Sequence, residues 1–451
     1  MSLEGAIAVT RFGLGAGPDE IASASRAPKD WLLAQLRPNN SSHAAFNGLL
    51  SSPEIFKISR EYKDARKVMS DAEMPAASEK YGKAVRRNFE VEIKARSIYA
   101  AQTQTPFHER LTRFWSNHFS ISARNRNTRL FPGSYEREAI RPHILGSFYE
   151  LSASAIFHPG MLVYLDNVSS IGPRSRKGLE TGKGLNENLA RETLELHTVT
   201  PAAEYTQSDV TEFAKALTGW SVERDAEREN NRQGKTTFSD RTHEGGSRLI
   251  LGVKYSEKGP KQALAILKDL CERPETAENI AQKFAVHFVS DDPPRALVEA
   301  LKNSFLKTGG NLMALYKTLV NSPLAWSPVA QKIKTPEEMI ISAARMAGFE
   351  AVITKRARDT YDSLAQLPFT APTPEGWPDM AEAWLGPDAV LKRIEWANEL
   401  ASRLPDMDAR QFLQTALGPR LSAHTLRAVS RAESGQQGFV MALMSPEFQR
   451  R

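Results

Sequence analysis

Apolar residues recur along this chain with the spacing of amphipathic helices. Positions three and four residues apart are repeatedly apolar in four segments, residues 111–118, 210–217, 280–288 and 297–305. This spacing places the apolar side chains on one face of a helix, which a globular protein buries. The pattern predicts a mainly α fold, a multi-helix globular protein.

Alternation of apolar and polar residues, the pattern of a half-buried strand, is confined to one region. Residues 237–238 and 248–252 have this character, and they flank the Glu-Gly-Gly run at 244–246. Glycines between two short alternating runs are typical of a hairpin turn. We therefore expect one small β-hairpin excursion near residues 236–255.

Three segments interrupt the helical pattern. Residues 223–235 are almost all charged or amide-bearing, which predicts a solvated loop or lid. Residues 367–378 contain four prolines, which remove hydrogen-bond donors and exclude a helix. Their aromatic side chains indicate an ordered segment on the surface of the fold. The Asp-Asp-Pro-Pro run at 291–294 is expected to end one helix and begin another.

The length of 451 residues permits about two or three domains. We expect residues 1–330 to form a helical core that carries the functional site. Residues 331–451 are expected to form a C-terminal helical region that packs on this core and does not fold independently.

Composition narrows the possible functions. The net charge is +6, from 59 basic and 53 acidic side chains, and the basic residues are dispersed without interleaved aromatic residues. This distribution argues against nucleic-acid binding. Cys271 is the single cysteine, which excludes an internal disulfide and a multi-cysteine metal site. Its helical, apolar surroundings favour a buried and inert thiol.

The sequence contains no apolar run near the ~20 residues that a bilayer-spanning helix needs, so we expect no membrane span. The first nine residues have neither a basic start nor a full apolar core, and no signal peptide is visible. A mature chain from which a signal had been removed would look the same. Periplasmic and cytoplasmic locations therefore both remain open.

Residues 184–198 hold three carboxylates, an arginine and a histidine within about three helical turns. At ~100° per residue, Glu192 lies at the margin of the apolar face formed by Leu189 and Leu196, where a carboxylate is partly desolvated. Such a glutamate can act as a general base or a metal ligand. Arg191 beside it can hold an anionic group or orient a carboxylate.

A purely structural explanation of the same helix is also open. Glu187, Arg191 and Glu195 follow one another at i, i+4 spacing and can form a ladder of surface ion pairs. Asn186 can cap the helix at its start. The residue types alone do not separate surface stabilisation from function at these positions.

A divalent metal is compatible with Glu192, Glu195, His118 and His197 as ligands, since carboxylate and imidazole groups both bind such ions. The spacing is not that of two histidines at i and i+4 on one helix. His197 does not share a face with either glutamate if the helix continues, so this site would need ligands from several segments.

His118 and His243 are the other candidates for catalysis beside Glu192 and Arg191. His118 lies within an apolar stripe, so its ring can equally be a core histidine that bonds a neighbouring carbonyl. His243 precedes the glycines of the predicted hairpin, where a loop can present it to a pocket or to solvent. Four further residues are expected to contact substrate: Asn117, Asn186, Asn188 and Trp220.

Several motifs add a family resemblance. Residues 186–192 read Asn-Glu-Asn-Leu-Ala-Arg-Glu, and residues 217–220 read Leu-Thr-Gly-Trp. Phe-Trp-Ser-Asn-His-Phe stands at 114–119, Thr-His-Glu-Gly-Gly at 242–246 and Gly-Trp-Pro at 376–378. Over most of the chain these motifs resemble a large bacterial family known as domain of unknown function 1800.

The resemblance implies a mainly helical protein and brings no accepted reaction or cofactor. Genes of this family often lie beside genes of exported proteins of the alkaline-phosphatase superfamily, which implies a periplasmic or surface role beside such a partner. One departure is residues 199–204, where the family usually has a glycine-rich connection.

Two classes of function follow. The first is a hydrolase with a polar His/Glu/Asn pocket around the helix at residues 186–197, with a divalent metal as the conceivable cofactor. The second is a non-catalytic accessory or binding protein for an exported alkaline-phosphatase-superfamily partner. In the second case the same polar residues should form a closed hydrogen-bond network without an adjoining cavity.

Overall fold

The computed structural model describes residues 1–38, 44–224, 233–353 and 356–451. Within these ranges the protein contains 24 α-helices and four short β-strands. The mainly α fold that the apolar spacing predicts is therefore confirmed.

The helices of the first half are α1 (Leu3–Ile7), α2 (Glu20–Ala24), α3 (Pro28–Leu33), α4 (Ser52–Val68), α5 (Met74–Gln102), α6 (Pro106–His118), α7 (Pro132–Tyr135), α8 (Phe148–Ile156), α9 (Pro159–Tyr164), α10 (Arg176–Thr181), α11 (Asn188–Glu192) and α12 (Gln207–Leu217). Those of the second half are α13 (Pro260–Glu272), α14 (Pro274–Phe288), α15 (Arg295–Lys307), α16 (Leu312–Asn321), α17 (Pro336–Ala347), α18 (Phe349–Val352), α19 (Ala357–Ser363), α20 (Pro387–Arg403), α21 (Ala409–Leu417), α22 (Ala423–Ser430), α23 (Gly435–Leu443) and α24 (Pro446–Gln449). The strands are β1 (Trp220–Val222), β2 (Thr236–Phe238), β3 (Arg248–Ile250) and β4 (Val253–Tyr255).

Local sequence explains where many helices begin. Helices α8, α12 and α17 each start with a capping box, in which a Ser or Thr hydroxyl and an acidic side chain bond each other's backbone N–H groups. Proline occupies the first turn of α6, α14 and α17, where a backbone N–H has no helical partner to lose. The boundary predicted at residues 291–294 is confirmed, since it separates α14 from α15.

The β structure is small, as expected, but its pairing differs from the prediction. Strand β2 pairs with β1, which places Trp220 opposite Phe238. Strands β3 and β4 form the hairpin inside residues 236–255. Its turn is Leu251-Gly252, where both residues have positive φ, 47° and 78°. Short hairpin turns favour such φ values because they match the strand twist, so the glycine at 252 makes the turn and the glycines at 245–246 do not.

The buried apolar residues form two main clusters. The first runs from Ala6 to Ala325 and contains the apolar faces of all four segments with helical spacing. The second contains residues from Met339 to Phe448 together with Ile93 of α5. The division falls near residue 330, and α17 packs against α5 across it. The second cluster therefore includes a side chain from the N-terminal part.

Three further features concern the remaining sequence predictions. Cys271 is buried on α13, so its predicted burial is confirmed, and burial raises the pKa of its thiol to about 12. None of the described helices combines the length and apolar character needed to cross a bilayer. Most of the predicted loop at 223–235, residues 225–232, lies outside the described residues.

Candidate functional site

A cavity of about 510 Å³ lies where four parts of the chain meet. Helices α6 and α14 line two sides, and the start of α17 lines a third. The non-helical segment 366–379, which includes the proline-rich run, lines the fourth. A volume of this size is typical of small-molecule sites. Of the residues proposed from sequence, Asn117 and His118 line this cavity.

Three arginines of the cavity wall are held by carboxylates. The ion pairs are Arg96–Glu136 at 2.8 Å, Arg96–Glu337, Arg113–Glu337 at 2.6 Å and Arg110–Glu338. Burial of Glu136 opposes its ionisation, but the charges of Arg96, Arg141 and Arg113 hold its pKa at about 2. These guanidinium groups are thus neutralised within the wall and fix the positions of α5, α6 and α17 relative to one another.

His287 of α14 and Asp379 form a hydrogen-bonded dyad in the cavity wall. Nδ1 of His287 lies 2.5 Å from Oδ2 of Asp379. Burial lowers the pKa of His287 below its ordinary value, against the attraction of Asp379. Burial would raise the pKa of Asp379, but His287, Lys332 and Arg451 together hold it at about 2. At neutral pH the dyad is therefore a neutral imidazole that donates its Nδ1 proton to a carboxylate.

The other ring nitrogen of His287 is available as an acceptor. Nε2 lies 3.5 Å from Nη1 of Arg110, at the outer limit of a hydrogen bond. The His287 side chain is 14% exposed, although most of the ring is packed. An imidazole oriented by a carboxylate, with its outer nitrogen unprotonated, is the arrangement of a general base.

His118 lies at the end of α6, on the cavity wall. Its Nε2 is 3.1 Å from the carbonyl oxygen of His197, so Nε2 carries the proton and donates it. Nδ1 has no hydrogen-bond partner among the described residues. Burial, assisted by the charge of Lys283, holds the pKa of His118 well below its ordinary value. The ring bonds a carbonyl, as a core histidine does, and it also lines the cavity.

Residues 186–197, which begin with the Asn-Glu-Asn-Leu-Ala-Arg-Glu motif, are called the signature helix below. This helix contacts residues of the cavity wall through its backbone. Helix α11 continues as a π-helical turn over Thr193–His197. A π turn breaks the regular hydrogen-bond ladder of an α-helix, so carbonyl groups at its end need other donors. Lys283 donates to the carbonyl of Leu196 at 3.2 Å, and His118 donates to the next carbonyl. This turn therefore holds two side chains of the cavity wall.

Glu192 is half-buried, and burial together with the nearby charge of Glu195 raises its pKa. The desolvation predicted at the margin of the apolar face is confirmed. The predicted ladder forms only in part: Arg191 contacts Glu187 at 3.3 Å, whereas Glu195 accepts a hydrogen bond from Tyr205. None of the four charged residues of this helix lines the cavity.

Asn117 fastens the proline-rich segment to α6. Its Nδ2 donates to the carbonyl of Trp377 at 2.9 Å, and its Oδ1 accepts from the Trp377 N–H at 2.8 Å. Gly376 has φ +96°, and a Cβ there would lie 2.5 Å from the Asn117 carbonyl oxygen. The hydroxyl of Ser122 adds a bond to the carbonyl of Ala371. The ordered segment predicted from its aromatics is confirmed, and Asn117 serves to position it.

The remaining predicted residues lie away from the cavity. Asn186 accepts a hydrogen bond from the N–H of Asn188, the first residue of α11, but the N-cap position is Glu187 and not the predicted Asn186. His243 donates from Nδ1 to the carbonyl of Thr218 at 2.9 Å. Trp220 begins β1 and packs against a neighbouring aromatic ring. The sequence predicts one pocket that contains Glu192 and these residues together with Asn117 and His118. This prediction is corrected, because the cavity contains only Asn117 and His118 of them.

The described part of the chain contains no group of three or more His, Cys, Asp or Glu side chains placed to hold a metal ion. His118 and His197 are neighbours, with ring centroids 6.0 Å apart. Glu192 and Glu195 stay on the half-exposed side of their helix, while His197 is fully buried, and burial lowers its pKa to about 3. The four residues proposed as metal ligands are thus not assembled into one site.

Comparison with known proteins supplies a family. The family model described as "Protein of unknown function (DUF1800)" matches residues 7–450. This chain belongs to the DUF1800 family. No curated protein and no solved structure matches it. The DUF1800 match includes the whole cavity wall, which lies between Leu14 and Asp379.

Most of the residues that form this cavity have no distinctive local sequence in the DUF1800 chain. His287 and Asp379 are 92 positions apart, and neither neighbourhood signals the other. His287 stands beside Phe288 in an ordinary amphipathic pattern, which favours a core explanation. The available signal was the proline-rich segment at 367–378, an ordered run of irregular backbone that directly precedes Asp379.

Proposed function

We propose that the protein is a hydrolase that binds a small molecule in the cavity and uses His287 as its general base. The geometry of the dyad is the observation that supports this most directly. Nδ1 of His287 is 2.5 Å from Asp379, and Nε2 has only the contact with Arg110 at 3.5 Å, which it can exchange for a water molecule whose proton it then accepts. The cavity provides space for a substrate beside this nitrogen.

In this proposal Asp379 and His287 have separate roles in the proton transfer. Asp379 fixes the imidazole tautomer and stabilises the imidazolium that forms when His287 takes a proton. The water that loses this proton adds its oxygen to a carbonyl or phosphoryl group. The bond to the leaving group then breaks, and His287 returns the proton to the leaving group. Arg110, next to Nε2, is already neutralised by its ion pair with Glu338.

The proposal assigns no resident metal, because the described His, Asp and Glu side chains form no group that could hold one. It keeps the reaction class expected from the sequence and places the proton transfer at His287 instead of Glu192. The raised pKa of Glu192 follows from burial and from the adjacent Glu195 charge, and Glu192 does not line the cavity.

A panel of chromogenic nitrophenyl esters and nitrophenyl phosphates tests the proposal on the purified chain. His287→Gln is expected to lower kcat by ~100-fold or more, the usual contribution of a general base. His424→Gln is the matched control, since His424 is exposed on α22. A wild-type protein without activity on the whole panel, or a His287→Gln variant with full activity, would contradict the hydrolase.

A non-catalytic role beside an exported alkaline-phosphatase-superfamily protein is the second proposal. It is favoured by the contacts of Glu187 on the signature helix, which accepts bonds from Thr211 and Gln207, both at 2.7 Å. Such a network suits a structural surface. Co-expression with the protein encoded by the adjacent gene, followed by size-exclusion chromatography, tests it, and two separate peaks would count against a stable complex.

A further inference from the structure

Lys283 is the exception among the cations of the cavity wall. The three arginines that line the cavity are each paired with a carboxylate. Lys283 lines the same cavity and has no carboxylate within ion-pair distance among the described residues. One lining cation is therefore left without a counter-charge in this part of the chain.

The contacts of Lys283 leave donor capacity unused. Its ammonium group has three donors, and the residues that the structure describes give it one acceptor, the Leu196 carbonyl at 3.2 Å. Burial lowers the pKa of Lys283, and the nearby Glu375 only partly opposes this effect. A partly buried cation with free donors is costly to maintain and is stabilised by an anion that binds it.

The side chains around Lys283 do not replace such an anion as its counter-charge. His118 and His197 are close, and burial keeps both rings neutral. Glu375 is exposed and belongs to the segment at the cavity wall. His287 lies four residues further along α14, so it shares a helical face with Lys283. An anionic group at Lys283 would thus be next to the dyad.

The rest of the wall adds an apolar surface. Phe114, Phe369 and Trp377 line the cavity together with several prolines. Flat apolar side chains of this kind bind aromatic or aliphatic parts of a ligand. The wall therefore combines one unpaired cation with a broad apolar area.

We propose that the cavity binds an amphipathic small anion, whose carboxylate or phosphoryl group contacts Lys283 and whose apolar part lies against Phe369 and Trp377. This inference rests on the proposed small-molecule site and names its ligand class. It does not depend on the role of His287, because a ligand can bind Lys283 whether or not the dyad is catalytic.

Calorimetric titration with three probes tests the ligand class on the full chain. Phenylphosphonate and benzoate carry an anionic group on an aromatic ring, and neither is a substrate for hydrolysis. Benzyl alcohol is the neutral probe of similar size. The variants are Lys283→Gln, which keeps a donor for Leu196, and Lys283→Met, which does not. Lys317→Met is the matched control, since Lys317 is exposed on α16.

Wild type and the Lys317→Met control are expected to bind both anions more tightly than benzyl alcohol. Lys283→Gln should weaken anion binding by ~10- to 100-fold, the effect of losing a hydrogen bond to a charged group, and leave benzyl alcohol binding unchanged. Equal anion affinity in wild type and Lys283→Gln overturns the inference. Benzyl alcohol binding without any anion preference also overturns it and leaves the proposed site intact. A wild-type protein that binds none of the probes contradicts the small-molecule site itself.

Discussion

Replacing Glu136 by glutamine removes a buried negative charge from the ion network beside the cavity. The carboxylate is 2% exposed and accepts hydrogen bonds from Arg96 at 2.8 Å, Arg141 at 3.0 Å and Ser116 at 2.9 Å. Glutamine keeps the shape and one acceptor oxygen, but it turns an N–H donor towards a guanidinium group. Glu136 does not line the cavity, so the loss is expected in stability.

The pKa of Glu136 gives the size of the effect. A decrease from 4.5 to about 2 corresponds to about 3 kcal/mol, at ~1.4 kcal/mol for each pKa unit. The folded-state pKa lies below the unfolded-state value, so this stabilisation is complete above a pH of about 4.5. It is lost as the pH falls towards about 2, where the carboxylate of the folded protein takes up a proton.

Urea unfolding of wild type and Glu136→Gln, near neutral pH and at about pH 3, measures this difference. The variant should unfold with a free energy about 3 kcal/mol lower near neutral pH, and the gap should narrow in acid. Glu395→Gln, an exposed change on α20, should alter the free energy of unfolding by less than about 0.5 kcal/mol. A Glu136→Gln difference below about 1 kcal/mol, or one that does not change with pH, would refute the reasoning.

Three further predictions concern other parts of the fold. Gly376→Ala should lower the thermal unfolding midpoint, because φ +96° strains an alanine and its Cβ would lie 2.5 Å from the Asn117 carbonyl oxygen; an unchanged midpoint would contradict the close approach. Cys271 should react with an aromatic disulfide reagent only after unfolding, because burial raises the pKa of its thiol to about 12; rapid reaction of the native protein would contradict its burial. Residues 331–451 expressed alone should show no cooperative unfolding by circular dichroism, since their apolar cluster includes Ile93 of α5, and a sharp transition would establish an independent domain.

The sequence by itself determined the mainly α character of the fold and the positions of several helices. The spacing of apolar residues identified α6, α12, α14 and α15, and each of these faces is buried. The prolines at 291–294 marked the boundary between α14 and α15. These features were predictable because helical hydrogen bonds and caps involve residues no more than about four positions apart. The strand pairing was not predictable in this way, since β2 pairs with β1, and residues 225–232 lie between the two strands in the sequence.

Only the tertiary structure decided the candidate site. The bonds that build it join Asn117 to Trp377 across 260 positions, His287 to Asp379 across 92 and Lys283 to Leu196 across 87. No local pattern encodes such pairs, because they depend on how separate helices pack. The densest run of versatile side chains, at residues 184–198, is held beside the cavity, and its backbone carbonyls position the residues that line it. Charge and spacing in the sequence pointed to a helix that lies beside the cavity, and packing determined which residues line the cavity.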